Sequence, residues 1–170
     1  GGLIAQRFAI DNPDKVECLA IVSAVAGRTA EEKEKVTRRL KNLRAGDYDT
    51  NIEAALERWF SPGFRERHPD VVEQRMALMR KVGSQRGYFQ AYKVFSTSDL
   101  ADELQLISAP TLIMTGEKDP GSNPRMAALM HSRIPGSRME ILPGLRHSLL
   151  VEAPELVAEK LNGFFLEESD

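Results

Sequence analysis

The chain contains three short stretches rich in apolar residues, separated by long stretches with helical spacing. The run LAIVSAVA at residues 19–26 predicts a strand buried on both faces, and PTLIMTG at 110–116 and RMEILPG at 138–144 predict two more. Strands that are apolar throughout are typical of parallel sheets covered by helices. The pattern therefore predicts an α/β layer with about three parallel strands.

Helical stripes flank these strands. Apolar residues at helical spacing over residues 3–9 predict a first helix. Asn123 followed by Pro124 predicts another, because asparagine caps the free N–H groups of a helix start and proline fits the first helical position. A further helix is predicted from Pro154. Its apolar side chains share one face: Val157, Leu161, Phe164 and Phe165.

Residues 28–107 show no strand pattern and predict several helices in series. TAEE at residues 29–32 and TNIE at 50–53 both fit the capping box, so each predicts a helix start. Two apolar stripes rich in aromatic residues follow: Ile52, Ala55, Leu56, Trp59 and Phe60, then Tyr88, Ala91, Tyr92 and Phe95. We therefore predict a core formed by residues 1–27 and 108–170, and an all-helical cap or lid insertion at residues 28–107.

Composition narrows the classes of function. The net charge of −2 over 170 residues gives no reason to expect a nucleic-acid partner. No apolar run reaches the length of a membrane span, and we expect a soluble, cytoplasmic protein without a membrane partner. The single cysteine, Cys18, excludes an internal disulfide and favours a buried, unreactive thiol. His68, His131 and His147 have no ligand spacing, so we expect neither a metal nor a cofactor.

Two side chains suggest chemistry. Asp119 lies just past the second predicted strand, and His147 follows the third in the stretch LPGLRHSLL. The carboxyl ends of parallel strands are where open α/β sheets place their ligands, so an Asp and a His at neighbouring strand ends can meet. An aspartate that hydrogen-bonds one imidazole nitrogen leaves the other to take a proton from a nucleophile. The order Asp then His is also that of α/β-hydrolase triads.

Three stretches together resemble the α/β-hydrolase superfamily: GGLIAQRFAIDNPDKV with LAIVSA, APTLIMTGEKDP, and LPGLRHSLLVEAPELVAEKLNGFF. The insertion is further similar to 3-oxoadipate enol-lactonases, through ERWFSPGFRERHPDVVEQR and GYFQAYKVFSTSDLADELQLISAPTL. The resemblance implies that Asp119 is the acid and His147 the base, and that Gly1 and Gly2 end the nucleophile elbow. It makes Trp59 a lid contact to substrate, and it places the nucleophile upstream of Gly1.

The resemblance implies an α/β fold that forms the C-terminal part of such a hydrolase. The expected function of the intact protein is hydrolysis of a small-molecule carboxylic ester or lactone by a nucleophile–His–Asp mechanism, and we expect this chain to be inactive alone. The first predicted strand would have an open apolar edge. We expect an N-terminal half, or a self-association partner, to cover it.

Several alternatives stay open on the sequence. The same scaffold supports dehalogenation, epoxide opening and C–C bond hydrolysis, and the nucleophile that separates some of these lies outside the chain. A degenerate hydrolase could also serve as a non-enzymatic binding module. The basic stretch KEKVTRRLKNLR at residues 33–44 could bind nucleic acid, but its charges are balanced by neighbouring glutamates and a solvated helix face is favoured.

Overall fold

The computed structural model describes residues 1–168, and the chain divides into two compact units. The core unit consists of Gly1–Gly27 and the chain from Asp99 onward, and the helical unit consists of Arg28–Ser98. Within the described residues, the elements in chain order are α1 (Gly2–Asp11), β1 (Leu19–Val22), α2 (Ala30–Ala45), α3 (Tyr48–Trp59), α4 (Pro62–Arg67), α5 (Pro69–Gly83), α6 (Arg86–Thr97), β2 (Thr111–Gly116), α7 (Pro124–Arg133), β3 (Arg138–Leu142), α8 (Leu149–Glu152) and α9 (Pro154–Glu167).

The described part of the core unit contains one parallel sheet of three strands in the order β1-β2-β3. In the register of the sheet, Leu19 of β1 lies opposite Thr111 of β2, and Leu112 of β2 lies opposite Arg138 of β3. The predicted α/β class with parallel strands and flanking helices is confirmed. Because β2 is central, all six of its residues are buried.

The core lies on both faces of β2, as successive side chains of a strand point in opposite directions. Ile113 belongs to a cluster with Ile21, Ala9 of α1 and Met130 of α7. Leu112 and Met114 belong to the opposite cluster, together with two buried residues of α9, Val157 and Phe164, while Leu161 and Phe165 pack against it. The stripe predicted for the last helix therefore faces the sheet. A strand buried on both faces explains why the sequence of β2 shows no polar alternation.

The first strand is shorter than predicted. The apolar run extends to residue 26, but β1 ends at Val22, and Ser23 has a positive φ of 47°. The Ser23 N–H donates to the carbonyl of Met114, at 2.8 Å, before the backbone leaves the sheet. Ala24, Val25 and Ala26 are buried without belonging to the strand. The prediction was wrong at this end because a run of apolar residues indicates only that the segment is buried. A strand also needs backbone hydrogen bonds to a neighbouring strand.

The two capping-box predictions in the helical unit had different outcomes. Thr29 caps α2, where its hydroxyl accepts from the N–H of Glu32 and the Glu32 carboxylate accepts from the N–H of Thr29. The start predicted at Thr50 was wrong, because α3 begins at Tyr48 with Asp47 as its cap. Gly46 ends α2 in the left-handed conformation, with φ 80°, so the chain turns at once into the Asp47 cap.

Candidate active site

The loops that follow β2 and β3 lie against each other because residue 116 has no side chain. A Cβ on Gly116 would lie well under 3.0 Å from the carbonyl oxygens of Leu145 and Arg146. The backbones are also joined by hydrogen bonds, since the N–H of Lys118 donates to the Leu145 carbonyl at 2.9 Å. The close approach brings the loop that carries His147 to the loop that carries Asp119.

The Asp119 carboxylate is held by its own loop. Its Oδ1 accepts from the N–H groups of Gly121, at 2.7 Å, and Ser122, at 3.0 Å. The carbonyl of Ser122 in turn accepts from the hydroxyl of Thr115, at 2.5 Å. The side chain of Asp119 is fully buried. A buried carboxylate needs such donors, because burial without hydrogen bonds disfavours its charged form.

The second oxygen of Asp119 binds the predicted histidine. Oδ2 lies 2.8 Å from Nδ1 of His147, whose side chain is 36% exposed, whereas Asp119 is buried. This contact orients the imidazole and turns Nε2 away from Asp119. The structure therefore brings together the two residues that the sequence singled out. Such a pair can hold one tautomer of the imidazole and stabilise the imidazolium that forms when Nε2 accepts a proton.

The pKa of Asp119 lies below its ordinary value of 3.8. Burial acts most strongly and raises the pKa, but the hydrogen bond and charge of His147 lower it, and the N–H groups of Ser122 and Gly121 lower it further. The lowering contributions together exceed the effect of burial. Asp119 is accordingly an ionised hydrogen-bond acceptor at neutral pH.

The other predicted site residues lie elsewhere in the fold. Gly1 precedes α1, and Gly2 is its first residue. A Cβ on Gly2 would collide with that of Ala24, so the start of α1 packs closely against the segment after β1. Trp59 is the last residue of α3 in the helical unit and is half-buried. The elbow role of the glycines and the substrate contact of Trp59 stay predictions.

The sequence did not single out three residues that hold the Asp119 loop: Thr115, Gly116 and Ser122. The sequence contains only a local sign of their role. Thr115 and Gly116 end a largely apolar strand, and a buried hydroxyl at a strand end needs a hydrogen-bond partner. The partner of the Thr115 hydroxyl is a carbonyl seven residues later, which no periodicity reveals.

Within residues 1–168, no group of three or more histidine, cysteine, aspartate or glutamate side chains is placed to hold a metal ion. The histidines have separate surroundings: His131 bonds Ser137 at 3.0 Å, and the ring of His68 lies 4.7 Å from that of Phe64. No helix in this part of the chain is long and apolar enough to cross a membrane.

The chain is similar in sequence to known hydrolases. Residues 1–154 match the model of the family described as Serine aminopeptidase, S33. The chain is 30% identical over 166 residues to (E)-2-((N-methylformamido)methylene)succinate hydrolase of Acinetobacter baylyi, an alignment that covers 96% of this chain and 61% of that protein. It is 28% identical over 155 residues to 3-oxoadipate enol-lactonase 2 of the same organism, covering 91% and 57%.

A solved structure shows the same fold. The crystal structure of the enol-lactonase from Burkholderia xenovorans LB400 matches with a TM-score of 0.84 at 24% identity, over 97% of this chain and 62% of that one. The chain thus spans between 57% and 62% of the length of these three proteins. The parallel strands, the flanking helices and the family match all indicate the same fold. This chain therefore has the fold of α/β hydrolases and belongs to the family described as Serine aminopeptidase, S33.

Proposed function

We propose that the complete protein containing this chain hydrolyses a small-molecule carboxylic ester or lactone. The observation that carries the proposal is the 2.8 Å contact between Asp119 Oδ2 and His147 Nδ1 at the carboxyl edge of a parallel sheet. The related proteins named above include a lactonase and a hydrolase of a substituted methylenesuccinate. Both names support a carbonyl compound as the substrate class.

In the proposed mechanism, a nucleophile upstream of Gly1 attacks the substrate carbonyl. His147 Nε2 accepts the proton of the nucleophile and returns it to the leaving alcohol, and water then releases the acid by the same route. Asp119 keeps Nδ1 protonated and stabilises the imidazolium. In this scheme Gly1 and Gly2 end the turn that carries the nucleophile. Gly2 fits this role because it has no side chain, which lets the start of α1 lie against Ala24. No cofactor enters the scheme.

The open side of β1 supports the expectation of a further covering segment. Among the described residues, β1 pairs with β2 alone. Beside this strand, α1 exposes Ile4 and Phe8, whose side chains are 74% and 48% accessible. These two residues and the half-buried Cys18 line one groove. Exposed strand edges next to apolar surface favour pairing with another strand. We propose that a segment preceding Gly1 covers this edge, with a second copy of the chain as the alternative.

The helical unit is proposed to serve as the cap of the hydrolase, with Trp59 as a contact to substrate. This rests on the resemblance of the insertion to that of enol-lactonases. The structure gives the unit a boundary at Ser98, whereas the sequence placed the end of the insertion at residue 107. Residues 101–106 form a short 3-10 helix that belongs to the core unit. The cytoplasmic location expected from the sequence stays a prediction.

The test is activity of the complete protein toward p-nitrophenyl butyrate together with covalent labelling by a fluorophosphonate. We expect His147→Ala to lower kcat by about 10⁴-fold, since the nucleophile loses its base. His131→Ala is the matched control, because His131 is an exposed histidine of the same unit whose ring bonds Ser137 and not Asp119. Near-normal turnover by His147→Ala would overturn the proposal. Labelling of a protein that starts at Gly1 would overturn the upstream position of the nucleophile.

A further inference from the structure

The loop that carries His147 begins with an exposed turn. Pro143 followed by Gly144, which has a positive φ of 70°, is the pattern of a type II turn between Leu142 and Leu145. The hydrogen bond that closes such a turn uses the N–H of its fourth residue, so the N–H of Gly144, the third residue, needs another acceptor. Pro143 and Gly144 are both exposed, and burial therefore does not hold this turn in place.

The acceptor is the side chain of Glu117, the first residue after β2. Its Oε2 accepts from the N–H of Gly144 at 2.9 Å, across 27 residues of sequence. The backbone N–H of Glu117 also donates to the carbonyl of Leu142, at 2.9 Å, and thereby continues the ladder past the last paired residues of the sheet. Glu117 thus binds both the end of β3 and the turn that follows it.

The charge of Glu117 favours this hydrogen bond. The N–H of Gly144 acts most strongly to lower the pKa of Glu117 below its ordinary 4.5, and the hydrogen bond and charge of Lys118 lower it further. Glu117 is therefore ionised at neutral pH, and an ionised acceptor makes a stronger hydrogen bond than a neutral one. Its other oxygen, Oε1, pairs with Nζ of Lys118 at 3.2 Å, so the two carboxylate oxygens have separate partners.

The contact between Glu117 and Gly144 lies three residues before the histidine of the candidate site. Between Gly144 and His147, the backbone of the loop lies directly against Gly116. The side chain of His147 is 36% exposed, and its Nδ1 lies 2.8 Å from Asp119. The position of the imidazole therefore depends on the path of this loop, which Glu117 holds at its first turn.

We propose that Glu117 is a positioning residue for His147, whose carboxylate fixes the turn at Gly144 and so holds the imidazole against Asp119. Glu117 acts through the backbone of the loop. Its contribution to catalysis rests on the function proposed above, whereas the placement of the imidazole does not depend on which reaction it serves. Placement matters because a proton moves to Nε2 only over a hydrogen-bond distance, and a small displacement of the imidazole slows that step.

The first experiment measures the kinetics of the complete protein with p-nitrophenyl butyrate at neutral pH. Glu117→Ala should lower kcat by about tenfold and leave KM nearly unchanged, because alignment is lost and substrate binding is not. Glu117→Gln should restore most of the activity, since its amide oxygen can still accept from the N–H of Gly144. Lys118→Met is the matched control, because it removes the ion pair of Glu117 but keeps the backbone N–H that bonds Leu145.

The second experiment observes the placement of the imidazole directly by NMR. In the wild type, the Nδ1 proton of His147 should give a strongly downfield resonance, because it bonds a carboxylate. Glu117→Ala should weaken or shift this resonance and speed hydrogen exchange at the Gly144 amide, whereas Glu117→Gln and Lys118→Met should do neither. A glutamate with a merely structural role would lower stability in urea when replaced, without moving the resonance.

The assignment is overturned if Glu117→Ala leaves both kcat and the Nδ1 resonance unchanged. An equal loss in Lys118→Met, or no recovery in Glu117→Gln, would also overturn it. Failure of the proposed function has a different signature, since it appears as near-normal turnover of His147→Ala. In that case the Nδ1 resonance and the exchange rate of the Gly144 amide still decide whether Glu117 places the imidazole.

Discussion

Two buried polar groups in this molecule have opposite surroundings. In the core unit, both oxygens of the Asp119 carboxylate have partners, which are two backbone N–H groups and the imidazole of His147. In the helical unit, the hydroxyl of Tyr92 is buried without a partner among the described residues. The first group is already organised by the chain. The second is buried in the helical unit without such a hydrogen bond from the described residues.

The backbone around the two groups differs in the same way. The Asp119 loop is tied to the His147 loop by hydrogen bonds and by the close approach at Gly116. By contrast, none of the twelve residues of α6, all of which the structure describes, is fully buried. Tight backbone contact suits a pair of side chains whose relative geometry must be held to a fraction of an ångström.

The largest effect is expected from removing the charge of Asp119. In the complete protein, Asp119→Asn should lower kcat by about 10⁴-fold toward p-nitrophenyl butyrate, because the amide no longer stabilises the imidazolium and favours the wrong tautomer of His147. Asp14→Asn is the control, as Asp14 is exposed. Turnover of Asp119→Asn within tenfold of the wild type would show that the pair at 2.8 Å is structural.

A smaller loss is expected from adding one methyl group between the two loops. Gly116→Ala should displace the Leu145 and Arg146 carbonyls, destabilise the fold by about 1–3 kcal/mol and lower kcat by about 10²-fold. Gly163→Ala is the matched control, since Gly163 lies in α9 with open space around it and alanine there should stabilise the helix by up to about 1 kcal/mol. Urea unfolding and steady-state kinetics measure both effects. Equal stability of the two variants would contradict the close approach.

The sequence predicted the central strand and the Asp119–His147 pair for a physical reason. A strand buried on both faces must be apolar throughout, and the carboxyl ends of parallel strands lie at the same edge, so two polar residues after adjacent strands are neighbours. The end of β1 could not be predicted, because burial continues through Ala26 after the ladder stops at Val22.

Contacts between distant segments account for the rest. The need for glycine at position 116 arises from the carbonyls of residues 145 and 146, about thirty residues away, and the sequence around Gly116 contains no trace of them. Likewise, the stripe of α6 predicts an inward face, but the pattern does not show that the guanidinium of Arg28 lies over the Phe95 ring. Periodicity reports which face is apolar, and it does not report which polar group lies beside that face.

Lowering the pH tests whether the hydrogen bonds of Asp119 contribute to stability. Its pKa in the folded protein is below the ordinary 3.8, so its stabilising effect is fully present above that pH and is lost as the pH falls from 3.8 through the lower folded value. The difference in unfolding free energy between the wild type and Asp119→Asn should therefore be large at pH 7 and smaller at pH 3. Urea unfolding at the two pH values measures it. A difference that does not change with pH would contradict the lowered pKa.

The smallest effect is expected at Tyr92, and its sign separates the two kinds of buried group. Because the hydroxyl has no partner among residues 1–168, Tyr92→Phe should leave the free energy of unfolding unchanged or raise it by up to about 1 kcal/mol. Tyr48→Phe in α3 serves as the comparison for loss of a partly exposed phenol. A marked destabilisation by Tyr92→Phe would mean that the hydroxyl is already bonded, and the contrast with Asp119 would disappear.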